Sequence, residues 1–447
     1  MNSSIIHDDF SSLYNNKKFF FLISIVILTL IIDTSFVKLY DLISKKFIDW
    51  RIALFIVISI TTLISQYFIL KFIKPTSKEA KIRDELHLNS LYNIVKIFQY
   101  ALGAILMSVG LQIVVTSHYN TVMLIAVMTT SYILAIILLA ILALRFFSWF
   151  KSNQNFVILL YGLASLMLAI NAIFTVINVN ERLLDRPSEI WQFAGGTVVL
   201  SAKSPVLDLS YVLSSILSFI LTWAATVLLL NHYSQRLGRV RYWIIVSIPL
   251  IYFLSQFITS FLNLFAPLLK SDPFFFAILF TSVFTLSKTI GGIMFGIAFW
   301  TIAKNIAHTI TISHYMIISA YGFVLLFISN QAIVLVTAPY PPFGLATISF
   351  MGLSSYLILV GIYASAISVA HDVKLRQSIR KFAIKESKLL DSIGSAEMEK
   401  EIQNRVTKIV NEQSFKMKEE TGVQSSFNEE DIKEYLNRAI RETKREL

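Results

Sequence analysis

Ten times between residues 19 and 370 the chain runs for roughly twenty residues that are almost entirely apolar. A bilayer's hydrocarbon core, about 30 Å thick, needs about 20 such residues in one helix. Lipid satisfies no backbone hydrogen bond, so each stretch is constrained to be helical. The stretches are 19–40, 52–70, 97–115, 122–144 and 156–179, then 211–230, 242–265, 274–303, 315–336 and 345–370. Only 15% of the residues are charged, against about a quarter in a soluble domain. The expected fold is therefore an all-α, polytopic membrane protein of about ten spans. Nine remain if the first stretch lies along the interface. Trp50, Trp149, Trp243 and Trp300 fall near proposed span ends, where interfacial aromatics belong, and Trp223 sits inside the sixth stretch.

Three regions follow: an N-terminal segment 1–18, a membrane domain 19–371 with its longest outer loop at 180–208, and a tail 372–447. Asp8 and Asp9 precede the first apolar run and no small-residue cleavage site follows it, so that run reads as a retained helix. The net charge of +11 lies in the membrane part, where residues 1–371 carry 23 Lys and Arg against 13 Asp and Glu. Loops that collect cations set topology, and nucleic-acid binding is not needed to explain the surplus. With the N-terminus inside, fourteen basic residues fall on the inner side and eight on the outer. Both termini are thus expected in the cytoplasm and the chain in the cell membrane.

Two ionisable residues lie within apolar stretches, where charge is costly and marks function by default. Asp33 and Lys288 are each some 14–15 residues from the inner boundary, or about 21–22 Å at 1.5 Å per residue. They are expected to meet as an intramembrane pair, either structural or coupling. Gly292 and Gly296, and Gly361 with Ser365, read as small-residue faces for close helix packing. Asn171, Gln256, Asn330 and Gln331 add interior polarity. No two histidines have the i, i+4 spacing of a helical metal pair, Cys is absent, and no nucleotide, metalloprotease or hydrolase motif occurs. Neither enzyme chemistry nor a cofactor or metal is expected.

The run TVVLSAKS in the 180–208 loop permits a surface hairpin, though an ordinary connector is the preferred reading. VTAPYPPFG, with Pro339, Pro341 and Pro342, is a stiff link between the ninth and tenth stretches. The tail reads as three helices. The first continues the last span as far as Gly394. A second is capped by Ser395, and a third starts at Ser426 with Glu429 in its first turn. Each carries a narrow apolar stripe that must pack on another tail helix, a second copy or a partner subunit. Lys374, Arg376, Arg380 and Lys381 suit anionic lipid headgroups. Two functions from different classes fit. The first is a sensor, signalling or scaffold protein whose last span drives the tail. The second is a secondary transporter of an apolar or amphiphilic solute coupled through Asp33 and Lys288.

Overall fold

The computed structural model describes residues 21–35, 48–81, 88–191, 204–231, 233–262, 264–272, 275, 284, 286–306, 310–337, 340–371 and 388–421. They form an all-α polytopic membrane protein. The helices are α1 (Phe21–Ser35), α2 (Ile48–Lys81), α3 (Leu88–Thr116), α4 (Thr121–Ser152), α5 (Phe156–Leu184), α6 (Pro205–Leu230), α7 (Tyr233–Leu237) and α8 (Arg239–Phe261). They continue as α9 (Ala266–Ser271), α10 (Ser287–Asn305), α11 (Ile310–Ser329), α12 (Val334–Thr337), α13 (Leu345–Ile348), α14 (Met351–His371) and the tail helix α15 (Lys388–Thr421). Every apolar stretch contains one or more of these helices. Among the described residues, eight segments are long and apolar enough to cross a bilayer, and α1 is a shorter apolar helix.

Side-chain caps start several helices. Asn120 Oδ1 accepts from the Val122 amide at 2.8 Å, and Asn155 Oδ1 from that of Val157 at 3.0 Å. Ser204 caps α6 ahead of Pro205, whose missing N–H costs nothing at the first position. Neighbours in sequence pack antiparallel. Tyr161 on α5 stacks on Phe146 of α4, and Tyr242 of α8 donates to the Val227 carbonyl of α6 at 2.6 Å. Segments 312–336 and 345–371 lie innermost, the latter buried except at Ser368 and His371. The outer helices turn Leu111, Val115 and Leu144 outward, as lipid-facing surfaces require.

Small residues set the closest approaches. A Cβ on Gly296 would sit 2.7 Å from the Ala320 carbonyl oxygen, and one on Gly292 would sit 2.7 Å from Phe327 Cβ. Gly361 faces Ser319 and Tyr315 in the same way, and Ser365 turns its hydroxyl back to the Ile362 carbonyl. Both proposed packing faces thus lie at helix–helix contacts around α11.

Three features depart from expectation. The 180–208 segment is not a plain connector. Its strand β2 (Glu189–Trp191) pairs antiparallel with β1 (His118–Asn120), a strand from the α3–α4 turn, while all of TVVLSAKS but its last residue, Ser204, lies outside the described residues. Tyr340–Gly344, in the link whose prolines suggest a stiff and extended segment, is instead a buried turn, and it carries a cis Tyr340–Pro341 bond. Gly394 does not end a helix, because α15 runs through it. There a Cβ would come within 2.6 Å of Val369 Cβ, so this glycine lets the tail helix lie on α14. A helix start at Ser395 is corrected with it. The proposed third tail helix, the link 372–387 and the lipid-contact residues Lys374, Arg376, Arg380 and Lys381 lie outside the described residues.

Candidate functional site

The ninth and tenth stretches look like unbroken apolar runs, yet each is interrupted. The helix α11 stops at Ser329, and Asn330–Ile333 precede the single turn α12. On the return, α13 stops at Ile348, and Ser349–Phe350 precede α14. Adjacent residues of α4 serve both breaks. Ser131 Oγ donates to the Ile348 carbonyl at 2.8 Å and accepts from the Gly352 amide at 3.3 Å. The Tyr132 hydroxyl donates to Asn330 Oδ1 at 3.2 Å and accepts from the Ala332 amide at 3.3 Å. Consecutive residues on one helix differ by about 1.5 Å in height, so the two breaks share one depth. Irregular backbone at membrane depth survives only inside protein or around a cavity, where its polar groups find partners. Here those partners come from α1, α2, α3, α4, α5 and α10.

Asp33 serves the tenth stretch. Its Oδ1 accepts from the Gly344 amide at 2.9 Å, and its Oδ2 accepts from the Thr347 amide at 2.9 Å and the Thr347 hydroxyl at 2.8 Å. The carboxylate thereby satisfies donors that open α13. Gly344 is required at this point, because its φ of 90° is disfavoured for residues with a Cβ. Gln66 donates to Ser349 Oγ at 2.7 Å and Gln99 to the Ser349 carbonyl at 3.1 Å.

Lys288 serves the ninth stretch. Its Nζ donates to the freed Asn330 carbonyl at 3.0 Å and lies 6.0 Å from the centre of the Tyr211 ring. Asn330 Nδ2 donates to Asn171 Oδ1 at 3.2 Å, and Asn171 Nδ2 donates to Ser214 Oγ at 3.0 Å. The structure therefore does not bring Asp33 and Lys288 together. Each stabilises a different interrupted span, and equal depth along separate helices did not make them neighbours. Three polar atoms at the breaks are buried without a hydrogen-bond partner among the described residues: Ser329 Oγ, Gln331 Nε2 and Gln99 Oε1.

The opposite end of α14 meets the tail. Leu389, Leu390, Ile393 and Ala396 of α15 are buried there. Trp149 Nε1 donates to Glu397 Oε2 at 2.7 Å, Asn155 Nδ2 to Ser392 Oγ at 3.0 Å, and His371 Nε2 lies 3.3 Å from Glu401 Oε2. The first half of the tail stripe thus packs on this chain's own spans, while Ile402, Ile409 and Phe415 stay exposed.

The described histidines are dispersed. His314 packs on Phe72, His118 on Trp191, and His371 meets Glu401. No cluster of three or more His, Asp or Glu suited to a metal occurs among the described residues. Ser131, Tyr132, Gln66 and Gln99 were not marked by the sequence, although amides inside apolar stretches are the signal that would have found the two glutamines. Compared with protein-family models, curated proteins and solved structures, the chain matches none.

Proposed function

We propose that this protein is a non-enzymatic sensor or signalling subunit of the cell membrane, with both termini in the cytoplasm. One observation carries the reading: α14 starts at the break held by Ser131 and Gln99 and ends under the docked tail helix. A rigid helix of this length passes any shift at the break to Val369, His371 and hence to α15. The Ser329, Gln331 and Gln99 atoms that have no partner among the described residues supply the polar contacts that a small ligand or ordered water would take up. The exposed Ile402, Ile409 and Phe415 would then face a second copy or a partner subunit.

The test is to loosen the break and read the tail. Gln99→Leu and Ser131→Ala should raise deuterium uptake across 388–421 in the membrane-reconstituted chain. Unchanged uptake in a folded variant refutes the coupling. Because the chain contains no Cys, one cysteine introduced at Ile409 reports sidedness. Labelling by an impermeant maleimide in intact cells would overturn the cytoplasmic tail.

A transporter is the second reading, favoured by two interrupted spans at one depth, a plan that solute carriers use for binding sites. With Asp33 and Lys288 apart, the coupling role would fall to each separately. Solute uptake by proteoliposomes that survives removal of 388–447 would select it over the sensor.

A further inference from the structure

A cavity of about 560 Å³ opens at the tail end of the bundle, away from the breaks. That volume is within the range of about 300–1,000 Å³ typical of small-ligand sites. Its apolar lining includes Leu228 and Leu229 at the end of α6 and Leu389 of the tail helix. Its polar lining includes Asn231, Gln235 and Arg239, and Trp243 also lines it. On the neighbouring face of α8, about a quarter-turn round from Trp243, Ile244, Ile248 and Ile251 are all exposed. The cavity therefore sets polar and cationic groups beside the exposed apolar surface of the span-length helix α8.

Charge there is one-sided. Arg239 lines the cavity, and Arg236 and Arg241 lie within three residues of it in sequence. Among the described residues no carboxylate pairs with any of them. Arg236 leans on the Tyr233 ring at 5.8 Å, and Arg239 and Arg241 have no ion-pair or hydrogen-bond partner there. An arginine is always ionised and presents a planar fork that matches phosphate oxygens. Tryptophan prefers the headgroup level.

We propose that this cavity binds an anionic phospholipid from the leaflet at the tail end. The phosphate pairs with Arg239, the headgroup hydroxyls or ester oxygens meet Asn231 and Gln235, and an acyl chain lies along the exposed α8 isoleucines beside Trp243. Because Leu389 forms one wall and the adjoining Asn155 holds Ser392, an occupied site keeps the start of α15 docked. The coupling to the tail rests on the signalling reading, whereas the binding itself does not.

The experiment uses the full chain in neutral detergent, where membrane sidedness plays no part. Phosphatidylglycerol and phosphatidylcholine are titrated, with retained lipid counted by native mass spectrometry. Phosphatidylglycerol is expected to be retained, and Arg239→Gln to weaken it about tenfold, the loss of one charge-assisted contact. Arg239→Lys, which keeps the charge, should weaken it less, and Lys304→Gln, at the same end but outside the cavity, should change nothing. Equal retention of the two lipids, or full retention by Arg239→Gln, overturns the proposal. Displacement of the lipid by millimolar inorganic phosphate also overturns it, in favour of a soluble phosphate site. Proteolysis of the tail supplies the second readout. Lipid that binds as expected without protecting 388–421 would refute the signalling coupling and leave the lipid site standing.

Discussion

Replacing Asp33 should destabilise the protein through the tenth stretch and not through Lys288. In Asp33→Ala the amides of Gly344 and Thr347 lose their acceptor inside the protein. The Thr347 hydroxyl does not, since the Leu30 carbonyl lies 3.3 Å away. Two stranded donors at about 1–3 kcal/mol each give a loss of about 2–6 kcal/mol. Asp33→Asn keeps one acceptor oxygen and turns an N–H toward a donor, so about half that loss is expected. Reversible unfolding by SDS in mixed micelles measures both. The informative arm is the double mutant with Lys288→Met. Groups without shared partners add within about 0.5 kcal/mol, so the two losses should sum. A loss under about 1 kcal/mol for Asp33→Ala would refute the account of Asp33 as the acceptor for α13. Rescue of Asp33→Asn by Lys288→Met would refute the separation of the two residues.

Further outcomes follow from the packing. Gly361→Ala forces a methyl against Tyr315 and Ser319 and should cost about 1–3 kcal/mol, whereas Gly110→Ala, with nothing within 4 Å, should be neutral or stabilising in the same unfolding assay. Gly394→Ala should expose 388–421 to protease while the spans stay folded, because the new Cβ meets Val369. A helix-terminating glycine would predict the reverse, a longer and better protected helix. Trp149→Phe keeps the ring contact with Phe146 and loses the bond to Glu397, so tail undocking should become easier by about 1.5–3 kcal/mol, read by deuterium exchange of α15.

The spans were legible because lipid imposes a local rule. A bilayer demands some twenty apolar residues in hydrogen-bonded helix, and that demand is visible in composition along the chain without knowledge of any neighbour. Gly292, Gly296 and Gly361 stand out in the sequence for a similar reason, since a missing Cβ within an apolar run has little use except close approach, and each lies against a neighbouring helix. What the sequence left open concerns pairs of distant segments. Nothing in Ser329-Asn330-Gln331 or Ser349-Phe350 announces an interruption by Pro or Gly. The helix yields there because Tyr132, Ser131, Gln99 and Lys288, from other helices, accept and donate in place of the lost backbone bonds. Asp33 and Lys288 were matched by depth, but depth fixes one coordinate, and helix order around the bundle fixes the other two. Gly394 shows the same division: its helix-breaking tendency belongs to the residue, and its place inside the second turn of α15 was decided by the side of α14 on which it rests.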